Sequence, residues 1–248
     1  MIEPIWRRYD TIGTGYRGPR SPDLRIAAAI SAEWGDAQRI VNIGAGAGSY
    51  ESTDRMVVAV EPSRTMLRQR PRGAAPAIEA RAEALPFPDD TFDLATAYLT
   101  IHHWADIPRG LAEAQRVAKR VLLLTWIGFP ERFWLLDYFP EIETIDLALF
   151  PTIEELGAML GGVRAVPLPI PRDCTDGFLC AYWARPEAYL DPGVRNAIST
   201  FSLIKGTDPG VVRLARDLHS GEWERRYGEI RTAESPDFGY RLVVTNAE

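Results

Sequence analysis

Cysteine is scarce: Cys174 and Cys180 are the two in 248 residues, and neither has a Cys-x-x-Cys partner. That scarcity argues against a disulfide framework and against a zinc ribbon, and two reduced, partly buried thiols are expected instead. No apolar run approaches the length that spans a bilayer, and the N-terminal stretch Met1-Ile-Glu-Pro-Ile-Trp-Arg-Arg lacks the apolar core of a signal peptide. The expectation is a cytoplasmic protein that is not embedded in a membrane. Like charges never gather into a block, and 28 basic against 34 acidic residues leave a net charge of −6. Nucleic acid is therefore not expected as the principal partner. Internal repeats and low-complexity tracts are also missing, and the length suits one α/β domain with a large core plus an insertion.

What the chain does have is glycine at one telling place. The stretch Ile40-Val-Asn-Ile-Gly-Ala-Gly-Ala-Gly48 is a short apolar run feeding a Gly-rich turn, and Val57-Val-Ala-Val-Glu61-Pro-Ser63 is a second apolar run ending on a carboxylate. Together they read as the first half of a doubly wound α/β sheet. Gly44, Ala45 and Gly46 form a turn that a ligand can approach without a large side chain in the way. Glu61, at the carboxyl end of the second strand, is placed to accept hydrogen bonds from two ribose hydroxyls. The dinucleotide fingerprint wants Gly-x-Gly-x-x-Gly, and here the third glycine arrives one residue early. The segment before the next strand is also too short for a long crossover helix.

A second signal follows in Arg81-Ala-Glu-Ala-Leu-Pro-Phe87-Pro-Asp-Asp90-Thr-Phe-Asp93. With the glycine turn and Glu61, this segment resembles the class I S-adenosylmethionine-dependent methyltransferases of the small-molecule type. That resemblance covers residues 40 to 126 and implies a seven-stranded, mostly parallel Rossmann-like sheet that binds S-adenosylmethionine. It assigns Glu61, with Pro62 and Ser63 beside it, to the ribose. Ala82 and Glu83 fall to the adenine, and Met66 either touches that ring or packs in the core. Asn42 stands where the family usually has Asp or Glu, at the methionine end, and Arg81 stands where many relatives carry Asp. Tyr98, near the end of the fourth strand, completes the candidate ligand set.

Residues 1–22 carry Tyr9, Tyr16 and Arg20 among several glycines and prolines. By the resemblance this arm closes as a lid, with those three side chains on the ligand carboxylate; otherwise the tyrosines pack on the sheet. A helix capped by Ser21 or Asp23 follows over Leu24 to Trp34, with Leu24, Ala27, Ala28 and Ser31 on one face. Further elements are a helix to Gln69, strands at Ala77-Ile78, 92–100, 121–126, 163–170 and 239–245, and helices at 106–118 and 153–160. The binding domain is thus 23–170 with 239–248. Residues 171–238 are read as an inserted helical cap, either supplying the acceptor pocket, with aromatics of 129–139 on the facing wall, or offering a partner surface.

His102 and His103 fall beyond the carboxyl end of the fourth strand, where open α/β sheets bind ligands. Imidazole suits a general base for a hydroxyl or amine acceptor. In extended backbone neighbours point oppositely, which favours one of the pair, His103, as the base. The function expected is methyl transfer to an oxygen or nitrogen of a small, largely apolar metabolite. Two other readings stay open: an S-adenosylmethionine-binding protein without methyl transfer, and a nicotinamide- or flavin-dependent oxidoreductase.

Overall fold

The computed structural model describes residues 20–234 and 236–245. Seven strands form one sheet: β1 (Arg39–Ile43), β2 (Met56–Val60), β3 (Ala77–Ile78), β4 (Phe92–Tyr98), β5 (Ala118–Trp126), β6 (Val163–Pro167) and β7 (Tyr240–Thr245). Their spatial order is β3-β2-β1-β4-β5-β7-β6. The pairings from β3 through β5 are parallel, and β7 runs antiparallel to both β5 and β6. The order reverses at β1, so the carboxyl ends of β1 and β4 open a cleft between them. Val121 to Trp126 are all buried, as a central strand covered on both faces requires.

Helices cover both faces. The helix Ile153–Leu160 matches the sequence expectation because both of its ends are written locally. Thr152 and Glu155 form a reciprocal capping box, and Gly161 leaves the helix at φ 74°. Asp23 caps the helix Leu24–Ala32 by accepting from the amide of Arg25. The expected face of that helix is corrected, however: Leu24 is 84% exposed and Ala28 is exposed, while Ile26 and Ile30 are buried. Both faces carry apolar residues, and the two isoleucines bury more surface against Trp34 and Ile40 than alanines could. β6 ends at Pro167 rather than at Ile170: one further bond follows, from the amide of Leu168 to the carbonyl of Tyr240 at 2.9 Å, and Pro169 then has no amide to give.

The inserted residues 171–238 fold into short helical pieces and two longer helices, Asp208–His219 and Glu222–Tyr227. The aromatics of 129–139 do not face them across a pocket as expected. Phe133, Trp134, Tyr138 and Phe139 are fully buried and pack directly on the insertion: Trp134 meets Trp223 edge-on at 5.2 Å, and Phe139 meets Phe201 at 5.0 Å. The indole of Trp134 also donates to the carbonyl of Trp183 at 2.9 Å. One apolar cluster therefore runs from Ile26 through the sheet to Trp223, and a second, around Val41, Leu111 and Leu156, fills the opposite face. Cys174 and Cys180 are free and buried within the first cluster, and burial pushes the Cys174 thiol up to about 12. Among the described residues no helix is long and apolar enough to cross a membrane.

Candidate functional site

The glycine turn follows β1 at the point of reversal. The amides of Gly44 and Ala45 donate to the carbonyl of Val60, at 2.8 and 3.0 Å, which folds the turn back over the end of β2. Gly44 has φ 69°, and a Cβ there would lie 2.1 Å from Oγ1 of Thr100. The turn is thus seated directly on the residues that follow β4, at a distance no other side chain permits.

Glu61 lies at the carboxyl end of β2 and is 7% exposed. Its Oε2 accepts from the amide of Gly46 and its Oε1 from the amide of Ser63, each at 2.8 Å. Two charge-assisted bonds fix the carboxylate plane and tie the turn to the second strand. The group borders a cavity of about 910 Å³ of empty space counting its mouth.

Most of the residues singled out from the sequence meet at this cavity. Asn42, Gly44, Ala45 and Gly46 line it together with Glu61, Pro62, Met66, Ala82, Glu83 and Tyr98, and Arg20 and His103 complete the lining of the predicted set. Ser63 does not line it: its hydroxyl turns inward to cap the helix Arg64–Arg68 by accepting from the amide of Met66. Oε1 of Glu83 accepts from the amides of Ala105 and Asp106, so that carboxylate also shapes the loop ahead of the helix Ile107–Val117. Tyr9 and Tyr16 lie outside the described residues.

Arg20 is engaged from the insertion. Its Nε donates to Oδ1 of the fully buried Asp176 at 2.5 Å, and the hydroxyl of Tyr50 donates to Oδ2 at 2.8 Å. Burial and the Asp176 carboxylate push the Tyr50 phenol well above its usual range. The guanidinium expected to meet a ligand carboxylate therefore already holds one from the protein.

His102 and His103 sit in a tight 3-10 turn, Ile101–His103, rather than in extended backbone. Their rings do not point oppositely; the centroids lie 3.8 Å apart at 51°. His102 also stacks on Phe150 at 4.0 Å. Burial, then the neighbouring His103, hold the His102 imidazole well below its usual pKa, so it is neutral near pH 7. A second cavity adjoins the first, sharing Arg20, Leu99 and His103 with it. His102, Asp146 and Phe150 line it from one side, and Phe178, Ile198 and Thr200 of the insertion from the other.

Tyr50, Thr100, Trp104, Asp146, Asp176 and Thr200 were not picked out from the sequence. Tyr50 directly follows the glycine turn, which was signal enough to find it. Thr100 and Trp104 flank the histidine pair at the end of the fourth strand and shared its signal, whereas Asp146, Asp176 and Thr200 arrive through long-range packing and carry no local signature.

The sequence family described as a methyltransferase domain matches residues 41–121. A crystal structure of a candidate methyltransferase from an antibiotic biosynthesis pathway of Anabaena variabilis is 35% identical, with a TM-score of 0.86 over 92% of this chain and 99% of that one. A 2-methyl-6-phytyl-1,4-hydroquinone methyltransferase of Oryza sativa subsp. japonica is 35% identical over 130 residues, covering 47% of this chain and 36% of that protein. A demethylmenaquinone methyltransferase of Corynebacterium kroppenstedtii is 27% identical over 123 residues, covering 48% of this chain and 54% of that protein. The chain spans about half the length of the curated relatives it matches, or less.

Proposed function

The chain belongs to the S-adenosylmethionine-dependent methyltransferases, and from that membership we propose that it transfers a methyl group to an oxygen or nitrogen atom of a small, largely apolar metabolite. The observation that carries the reading is Glu61, a carboxylate anchored by two backbone amides at the edge of a cavity whose glycine floor would be filled by any Cβ at Gly44. A pair of vicinal ribose hydroxyls fits an acceptor so fixed, because the cost of ordering it has already been met within the fold. S-adenosylmethionine supplies an electrophilic methyl group on a sulfonium centre.

The residues of the chain do the rest. Gly44 to Gly46 bring the backbone close to the ligand, and Ala82 and Glu83 border the adenine side. His103, at the junction of the two cavities, is the candidate base that takes the proton of an acceptor hydroxyl or amine. The aromatic and aliphatic walls around it exclude water and hold the acceptor in line. The relatives named for hydroquinone and demethylmenaquinone favour a ring-bearing acceptor, and a ring carbon is a second possible methylation point.

The test pairs calorimetry against S-adenosylmethionine and S-adenosylhomocysteine with a labelled-methyl screen over phenols, hydroquinones and amines, followed by NMR of any product. Binding of both ligands and a methylated oxygen or nitrogen is expected. A carbon-methylated product corrects the acceptor atom. Binding without turnover on any acceptor moves the chain to the non-methylating reading, and absence of binding removes the proposal altogether.

A further inference from the structure

The second cavity contains a polar atom that its own surroundings leave unsatisfied, beside a buried carboxyl group. His102 is 7% exposed, and its Nδ1 has no hydrogen-bond partner among the described residues. Asp146, on the helix Glu141–Leu149, is also buried, and its Oδ1 accepts from the hydroxyl of Thr200 at 2.7 Å. No cation forms an ion pair with Asp146 among the described residues. A buried imidazole nitrogen without a partner, and a buried carboxyl group without a cation beside it among the described residues, carry a desolvation cost that a suitable ligand would relieve. Around them the walls are apolar: Trp126, Phe150, Phe178 and Ile198. Arg20, at the mouth, is paired with Asp176.

We propose that this cavity is the acceptor pocket and that Asp146 makes it select an uncharged, hydroxyl-bearing aromatic ring over the same ring carrying a carboxylate. The inference rests on the methyltransferase reading for the word acceptor, but the selectivity belongs to the cavity itself. A phenolic hydroxyl can bond to Nδ1 of His102 while the ring stacks among the aromatic walls. A carboxylate would enter a low-dielectric space next to a buried carboxyl group, where the one cation lining the cavity among the described residues, Arg20, is paired with Asp176. Burial pushes the Asp146 carboxyl up to about 7, so at about pH 7.5 much of it is ionised and a second carboxylate beside it meets like charge in a low-dielectric space. Selectivity then comes from rejecting the anion as much as from binding the phenol.

The experiment uses the full chain, with and without saturating S-adenosylhomocysteine, and measures by calorimetry the affinities of 1-naphthol and 1-hydroxy-2-naphthoate near pH 7.5. The neutral compound is expected to bind at least about tenfold tighter, the discrimination that one unpaired buried charge readily supplies. Asp146→Asn keeps an acceptor for Thr200 and should reduce the ratio to about threefold or less, and His102→Phe should weaken 1-naphthol about tenfold while preserving the stack on Phe150. Melting curves check that each variant is folded. Equal affinities in the wild type, no detectable 1-naphthol binding, or an unchanged ratio in Asp146→Asn would each overturn the inference. Loss of S-adenosylhomocysteine binding with the naphthol preference intact would instead overturn the proposed function and leave the selectivity of the cavity standing.

Discussion

Asn42 donates from Nδ2 to Oε1 of Glu51 across 3.3 Å, and Glu51 is held in turn by Nη2 of Arg70 at 2.7 Å, both partners of that ion pair being almost fully buried. The residue that departs from the family pattern is therefore one half of a local bond. An amide at position 42 can donate to the neighbouring carboxylate, whereas a carboxylate there would face it.

Restoring the family residue should accordingly do harm. Asn42→Asp places a second anion beside Glu51 in a buried site with one guanidinium to share, at a cost of about 1–3 kcal/mol. Guanidinium unfolding should show the loss, and the double variant Asn42→Asp, Glu51→Gln should recover much of it. Unchanged stability in the single variant would refute the coupling.

Glu61→Ala removes the fixed acceptor and unties Gly46 from Ser63, so S-adenosylhomocysteine affinity should fall at least about tenfold, the 1.5–3 kcal/mol of a charge-assisted bond. Glu61→Gln retains one acceptor oxygen and should lose less. A dissociation constant unaltered in the alanine variant would remove Glu61 from the ribose.

His103→Ala should lower turnover by about a hundredfold or more if the acceptor needs a base, while S-adenosylhomocysteine affinity changes little. Equal turnover would leave in-line positioning as the whole of the rate enhancement.

Asp176→Ala leaves Arg20 and Tyr50 without their common buried acceptor and should destabilise the fold by about 3–5 kcal/mol, as stranding one member of a buried pair does. Asp176→Asn keeps the bond from Tyr50 and should lose less. Equal effects of the two substitutions would mean that the bond from Tyr50 adds nothing and that the charge alone holds Arg20.

Asp146 and His102 contribute opposing pH dependences. The Asp146 carboxyl is raised from 3.8 to about 7, so its contribution to stability is complete below pH 3.8 and is lost as pH rises through about 7. The His102 imidazole is lowered well below 6.5, so its contribution is complete above 6.5 and is lost as pH falls through the lower native value. The two largely offset each other in the wild type. Replacing Asp146 by Asn exposes the histidine slope, and the stability difference between variant and wild type should change by about 1.4 kcal/mol per pH unit between about pH 4 and 7, favouring the variant as pH rises. Parallel curves in urea titrations would contradict the assignment.

The sequence made the cofactor side of the site readable because it is built from contiguous segments. The glycine turn, Glu61 and the Ala82-Glu83 edge each carry their own local pattern, and the fold places them around one cavity. The second cavity was not readable in the same way. Thr200 reaches the second cavity through the docking of the insertion and Asp146 from the helix it docks on, while Asp176 meets Arg20 beside them, and nothing near them in the sequence marks them. The histidine pair was reasoned from extended backbone, but a tight turn stacks the two rings together. The aromatics of 129–139 were assigned to a pocket because they are large and apolar. Those same properties suit an interior, and Trp134 with its five aromatic neighbours shows which demand prevailed.

That shared interior limits how the protein can diversify. A segment that merely rests on a scaffold can be exchanged among relatives as a unit. This one surrenders its largest rings to the body beneath, so transplanting it would strip both partners of their filling. New acceptor preferences should therefore arise from point changes around His102, Asp146 and Thr200, with the surrounding rings left in place.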